Sequence, residues 1–491
     1  LGMRNFWHRA IRGYGVRRAG SSLLALLLLG VGCAHKTDDR TADGRIIVRY
    51  WEKWTGAEGE AMDGVIADFN AAQTNIWVEM LTVSEITRKM MLATAGGNPP
   101  DVAGLWAANV NVYSEKNALT PLDALMAEAG MKAEDYIPSI WRLCTHRGFT
   151  WALPSTPATV ALHWNKKIFR EAGLDPEHPP ASLDELDRMA EQLTLVVVER
   201  GGQPVQIPFS ALTPEEREAR SFRILRLGFS PTEPGWWTTV YAYWFGGALW
   251  DGQGHITAST PENVRAVTWY KSYADKYGLK NMQAFGSSFG NFASPQNAFL
   301  AGQVAMVIQG VWMYNFINKF APGLEWGAAP FPSADPAQWP LVTVAETDVL
   351  VIPRGARHPR EAFTFMRYVH TQQAMEKLCL GQRKFSPLKA VSEEFLRAHP
   401  NPYIKVFIDL AHSPGARAWP ALPVWNEYDE EMRLAYDRSF LGLLQPEAAL
   451  QEAQQRVQWK LDRIQRRWDL VQTQRLRQWK QWDDGFAEDS P

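Results

Sequence analysis

From Ile46 to Leu105 the chain switches repeatedly between two hydrophobic periods, and that alternation leaves it few folds. Ile46-Ile47-Val48-Arg49-Tyr50-Trp51 is an apolar, β-rich run, after which Met62, Val65, Ile66 and Phe69 recur at helical spacing between Glu58 and Asn70. Ile76-Trp77-Val78-Glu79-Met80-Leu81 reads as a second strand and residues 85–95 as a second helix. Asp101-Val102-Ala103-Gly104-Leu105 is a third strand behind the turn Gly96-Gly97-Asn98-Pro99-Pro100. Such a succession specifies βαβ units, an α/β fold whose sheet is covered by helices. Ligands of these sheets bind beyond the strand C-termini, where the loops at Trp51 and Trp106 begin. Further along, helical patterns cover 183–193, 261–277, 295–301, 359–368 and 427–436, and strands recur at 304–308 and 349–352.

Ahead of this body, Arg4, Arg9, Arg12, Arg17 and Arg18 precede an uncharged stretch, residues 19–32, that ends at Cys33. Its 14 residues fall short of the roughly 20 that a bilayer-spanning helix needs. The pattern fits a cleaved export signal, with small residues before a cysteine that becomes lipidated. Gly30 stands where a lipobox usually carries Leu, so cleavage at a plain signal-peptidase site stays open. Processing removes five of the 51 basic residues and none of the 53 acids, taking the net charge from −2 to about −7. That balance argues against nucleic acid as a partner. A mature chain of about 459 residues exceeds one compact core and calls for two lobes. Residues 36–44 read as a polar tether. Cys144 and Cys379 either pair in an oxidising compartment or stand as two buried thiols.

Tryptophan is the chemical signal. There are 22 in the chain, and many stand beside turn residues rather than inside apolar runs. Trp51 and Trp54 flank Thr55-Gly56, Trp106 follows a strand, Trp236 and Trp237 follow Pro234-Gly235, Trp244 precedes Phe245-Gly246-Gly247, and Trp312 follows Gly310. An indole presents a flat apolar face and one N–H donor, which suits the C–H face of a sugar ring. Any single indole is as readily a core residue; the binding reading needs several on different loops of one cleft. Asp251-Gly252 reads as a turn dipeptide. The ten histidines form no H-E-x-x-H pattern, and there is no CxxC pair, so neither a metal nor any other cofactor is expected.

Several ordered motifs make the resemblance specific. They are Tyr50-Trp51-Glu52-Lys53-Trp54-Thr55-Gly56, Ala93-Thr94-Ala95-Gly96-Gly97-Asn98-Pro99-Pro100-Asp101-Val102, and Asn117-Ala118-Leu119-Thr120-Pro121-Leu122. Trp151-Ala152-Leu153-Pro154, Trp164-Asn165-Lys166, Ala172-Gly173-Leu174-Asp175-Pro176, Ala298-Phe299-Leu300-Ala301-Gly302-Gln303-Val304-Ala305-Met306, Gly310-Val311-Trp312 and Val351-Ile352-Pro353-Arg354-Gly355 follow. From about residue 46 to about 455 the chain resembles the family 1 extracellular solute-binding proteins, the sugar-binding lipoproteins of ABC importers related to maltose-binding protein. The resemblance implies a two-lobed, type II periplasmic-binding-protein-like fold, each lobe a sheet flanked by helices, with a hinge between them. It places crossings near Leu153-Pro154-Ser155, Gly310 and Pro353. One lobe is then 43–153 plus 311–353, the other 154–310 plus 354–455, with residues 456–491 as a basic helical extension.

The same resemblance implies a ligand site made of Trp54 and Thr55 on the first loop, Trp106 and Asn109 after the third strand, Ser155 and Thr159 on the first crossing, Trp236, Trp237 and Trp244, Gly310 and Trp312, and Trp425. Glu346 and Thr347, ahead of the third crossing, add hydroxyl acceptors. Asn109 departs from a carboxylate of the maltose binder, and the crossing carries Ser155 and Thr159 in a segment where that protein has a carboxylate, which speaks against maltose itself. The implied function is a monomeric, non-enzymatic receptor held at the membrane through Cys33, taking a carbohydrate to permease subunits. The competing classes are a secreted glycan-active enzyme, which needs two carboxyl groups across the scissile bond, and a glycan-binding sensor or adhesion lipoprotein. In the extension, Val457, Leu461, Ile464, Trp468 and Val471 form a short heptad stripe, and its arginines suggest either packing on one lobe or contact with the permease or membrane surface.

Overall fold

Three parallel strands open the fold. In this computed structural model, which describes residues 39–290 and 294–488, β1 (Ile46–Glu52) lies between β2 (Ile76–Thr82) and β3 (Val102–Trp106). The crossovers are helices α1 (Gly56–Ala72) and α2 (Ile86–Ala95). Alternate residues of β1, Val48 and Tyr50, are fully buried against α1 residues Val65 and Phe69, as the two periods require. Cys33 and the export segment lie outside the described residues.

β4 (Leu153–Asn165) is buried at every position. Further strands are β5 (Leu195–Arg200), β6 (Gln203–Pro208), β7 (Phe222–Phe229), β8 (Val304–Gly310), β9 (Trp326–Ala329), β10 (Val342–Val351) and β11 (Gly415–Arg417). The sheet runs β2-β1-β3-β10-β4-β8-β7-β5-β6, with β9 also on β4 and β11 on β10. The first half of β4 pairs with β10, and its second half pairs with β8 and β9. Two strands therefore carry the chain between its halves. Pro154 and Pro157 lack the N–H that a central strand uses, and the register shifts opposite them, between Thr347 and Val349.

The two halves own separate cores. Val48, Tyr50, Phe69 and Val102 pack with Phe365, Met375 and Leu378, which come from α3 (Pro359–Val369) and α4 (Gln372–Gln382). Leu162, Phe229, Trp244, Tyr273 and Met306 pack with Tyr428 of α5 (Trp425–Phe440). This corrects the expected lobe boundary at Pro353: α3 and α4 belong with β1–β3. The chain turns straight from β10 into helices whose apolar faces fit that core.

One other expectation changes, and one open alternative is decided. Residues 295–301 form turns, because Asn297 Oδ1 accepts the N–H groups of Phe299 and Leu300 at 3.0 and 3.1 Å while its amide donates to Glu233 at 3.0 Å. The side chain thus offers the backbone a turn in place of a helix. Cys144 and Cys379 are separate buried thiols, and burial pushes both thiol pKa values up.

The basic extension is the end of one 43-residue helix, α6 (Pro446–Glu488). Its first half buries Leu450, Val457 and Leu461 in the core of β4 and β7, and its second half buries Trp468 and Trp479 in a cluster with Leu105, Trp151 and Val349. Packing on a single lobe is thereby corrected: the heptad stripe is long enough to reach both. Among the described residues no helix is long and apolar enough to cross a membrane. Trp479 is fully buried, meets Trp151 edge-on at 4.8 Å and donates Nε1–H to Asn117 Oδ1 at 2.8 Å. Trp479→Ala is expected to cost about 3–5 kcal/mol, read as a lower denaturant midpoint.

Candidate functional site

The turn after β1 is organised by the buried carboxylate of Glu52. It accepts the Tyr50 hydroxyl and the backbone N–H groups of Lys53 and Trp54, the latter two at 2.7 and 3.3 Å. A side chain at position 104 on the neighbouring strand would forbid this, since a Cβ there would sit 2.1 Å from Glu52 Oε2. Gly104 therefore makes room for the acid. The turn so fixed sets Trp54 edge-to-face with Trp106 at 5.9 Å, both at strand C-termini and both lining a cavity of about 430 Å³.

Asp348 on β10 forms the floor. Lys53 Nζ lies 3.1 Å and Lys384 Nζ 2.9 Å from its carboxylate, Thr156 donates Oγ1–H to it at 2.9 Å, and Trp54 donates Nε1–H at 3.0 Å. Burial opposes its charge, but Lys384 and Lys53 outweigh burial and hold the Asp348 pKa far below the usual carboxylate range. Lys384 also pairs with Glu58 at 3.4 Å and lies over the Trp54 ring at 4.9 Å. Its own pKa is raised, since these carboxylates overcome the burial. The carboxylate of Glu346, two residues along the strand and facing the same cavity, has no hydrogen-bond or ion-pair partner among the described residues. Burial, then the neighbouring Asp348 charge, pushes its pKa up to about 7.

Five indoles line the opposite side. Trp237 lies 5.9 Å from Trp312, 6.2 Å from Trp236 and 6.3 Å from Trp419, nearly parallel to the last, and Trp419 lies 5.3 Å from Trp425. Trp312 rests on Gly310, where a Cβ would meet its ring at 2.4 Å. The N–H groups of Trp237 and Trp312 have no acceptor among the described residues. At the rim, Asp429 accepts Thr239 Oγ1–H and Arg433 Nε–H, each at 2.9 Å.

Of the residues expected at the site, Trp54, Trp106, Trp236, Trp237, Trp312, Glu346, Thr347 and Trp425 line this one cavity. Six do not. Ser155 and Thr159 are buried on the other face of β4, with Thr159 donating to Phe407 O at 2.9 Å; Thr156 and Ala158 face the cavity instead. Strand alternation makes a one-residue error a change of face. Trp244 is a core residue, fully buried, with its N–H on Val342 O at 3.1 Å. Thr55 is exposed at the start of α1, and Asn109 lies on the helix after Trp106, outside the lining. Gly310 serves by seating Trp312. Asp251 forms its own turn, accepting the N–H groups of Gln253 and His255 at 2.7 and 3.0 Å.

Sequence reasoning missed Glu58, Phe316, Lys384, Trp419, Asp429 and Arg433 and gave Asp348 no place of its own. The spacing of Glu427 to Tyr436 could have shown that Asp429 and Arg433 share a helix face.

Two lobes, a shared pair of crossing strands and an aromatic cavity at strand C-termini define a solute receptor of the periplasmic-binding type. The model of the family described as bacterial extracellular solute-binding protein matches residues 53–376, and the chain belongs to that family. A binding protein of Brucella abortus (strain 2308) is 24% identical over 407 residues, 82% of this chain and 90% of its own. The structure of CpMnBP1 with mannotriose bound superposes with a TM-score of 0.70 at 26% identity, over 84% of this chain and 100% of that one. UgpB of Mycobacterium tuberculosis in complex with glycerophosphocholine, at 20% identity and a TM-score of 0.65 over 86% of this chain and 99% of that one, shares the fold.

Proposed function

We propose that this protein is the extracytoplasmic receptor of an ABC importer and that it captures an oligosaccharide between its lobes. The cavity lining carries the reading: seven indoles, carboxylates among them, and cations that already have partners. Stacked indoles offer several apolar faces to successive pyranose rings, and Glu346 and Thr347 supply acceptors for hydroxyls. A phosphate ester such as the one held by UgpB would need a free cation. Here Lys384 is taken up by Asp348 and Glu58, and Arg433 by Asp429. The mannotriose held by CpMnBP1 is in keeping with the uncharged class.

The lobes we assign are residues 45–152 with 349–382, and 160–310 with 415–461, joined by β4, β10 and residues 384–388. A ligand touching both lobes stabilises the closed form through contacts that the open form lacks, and the permease reads that form. Cys33 is assigned as the lipid anchor; Cys33→Ser is expected to move the receptor from the membrane to the soluble fraction once the membranes are washed at high salt, which removes electrostatic attachment. Incubation with oligosaccharides, followed by chromatography, separates receptor from enzyme: ligand is expected back intact, and cleavage would overturn the assignment.

Glu346 makes binding pH-dependent. A carboxylate accepts hydroxyl donors more strongly than a carboxylic acid does, so affinity is expected to rise with pH through about 7 and then level off. Fold stability runs the other way. The folded pKa is raised, so this group's contribution is full below the ordinary glutamate range and is lost as pH rises to about 7. Titrations at several pH values check this, and Glu346→Gln should flatten the affinity profile.

A further inference from the structure

The outer face of α6 has no role in the cavity. Helical spacing puts Trp459, Arg463, Arg466, Leu470 and Arg477 in one line, at steps of four, three, four and seven residues, and all five are exposed. Trp459 is 57% and Leu470 86% exposed, large apolar side chains left in water between arginines. Arg467 flanks the line, and the Arg463 guanidinium lies over the Trp459 ring at 4.7 Å. None of these four arginines has a carboxylate partner among the described residues. The stripe is about 27 Å long and basic on a protein whose formal charge is −2.

The opposite face of the same helix is keyed into both cores by Val457, Leu461, Trp468 and Trp479, so the stripe is held outward. We propose that it is a docking surface for an anionic membrane, on which the helix lies flat. Arginines meet lipid phosphates there while Trp459 and Leu470 enter the headgroup boundary, the arrangement of an in-plane amphipathic helix. A protein partner would more naturally be met by a central apolar cluster with a polar rim. Here the apolar groups are single and spread along a line.

The test uses residues 40–491, a compact unit, so that no lipid anchor contributes. Cosedimentation is measured with vesicles of phosphatidylglycerol in phosphatidylcholine and with phosphatidylcholine alone. Binding is expected only to the anionic vesicles and should weaken with salt. Each of Arg463→Gln, Arg466→Gln and Arg467→Gln is expected to weaken it about fivefold, with the thermal midpoint unchanged because the sites are exposed. Leu470→Ser should weaken binding while preserving its salt dependence. Equal binding to both vesicles, no binding to either, a triple variant that binds like the parent, or attachment only to membranes carrying the permease would each overturn the proposal.

Discussion

Asp348→Ala is expected to lower the stability of the fold by about 3–5 kcal/mol, the usual cost of removing one partner from a buried ion pair, and to abolish ligand binding. The carboxylate faces two ammonium groups, and the side chains of Lys53 and Lys384 are each only 3% exposed. Without Asp348, Lys53 keeps Glu52 at 3.4 Å and Lys384 keeps Glu58 at 3.4 Å, but both lose their nearer charge. Trp54 loses the acceptor of its N–H, and with it the orientation of the first indole. Denaturant unfolding reads the loss. The double variant with Lys384→Met should recover part of it, since one unpaired charge leaves with its partner. The pH dependence follows from the depressed pKa: the contribution is present above the ordinary aspartate range and is lost as pH falls through the folded value.

Trp312→Ala is expected to weaken ligand binding by roughly thirtyfold or more, about 2 kcal/mol, the size of a buried aromatic anchor. Its ring stands within 6.2 Å of Trp236 and 5.9 Å of Trp237, so its removal opens the indole wall at its centre. Trp312→Phe separates two contributions. It keeps an aromatic face but deletes an N–H that has no acceptor among the described residues, and a loss of about 1 kcal/mol relative to tryptophan is expected where that donor meets a ligand hydroxyl. Isothermal titration of the three proteins gives both numbers.

The βαβ opening was legible because two periods alternate without interruption, and β1, β2 and β3 fall within a residue or so of where the pattern puts them. The tryptophans of the cavity were legible from their turn neighbours, Trp54 before Thr55-Gly56 and Trp236 after Pro234-Gly235. That signal has no depth to it, which is why Trp244 carried the same mark and proved to be core. Ser155 and Thr159 failed on parity, since nothing local in Leu153-Pro154-Ser155-Thr156 says which face of a fully buried strand meets the cavity. Lys384 was out of reach. Its role exists only because α4 packs on α1 and brings it, from a position 36 residues on in sequence, to within 2.9 Å of Asp348. The lobe boundary failed for a related reason: β10 continues into helices whose partner is fixed by tertiary packing, not by any local pattern.

The claim that this cavity is a carbohydrate receptor is tested most directly by titrating residues 40–491 with neutral mono- and oligosaccharides and following tryptophan fluorescence and the thermal midpoint. The account predicts a saturable fluorescence change and a raised midpoint with at least one oligosaccharide, both shifted to roughly thirtyfold higher ligand concentration in Trp312→Ala. A panel that leaves both signals unchanged, while a phosphate ester raises the midpoint, would contradict it.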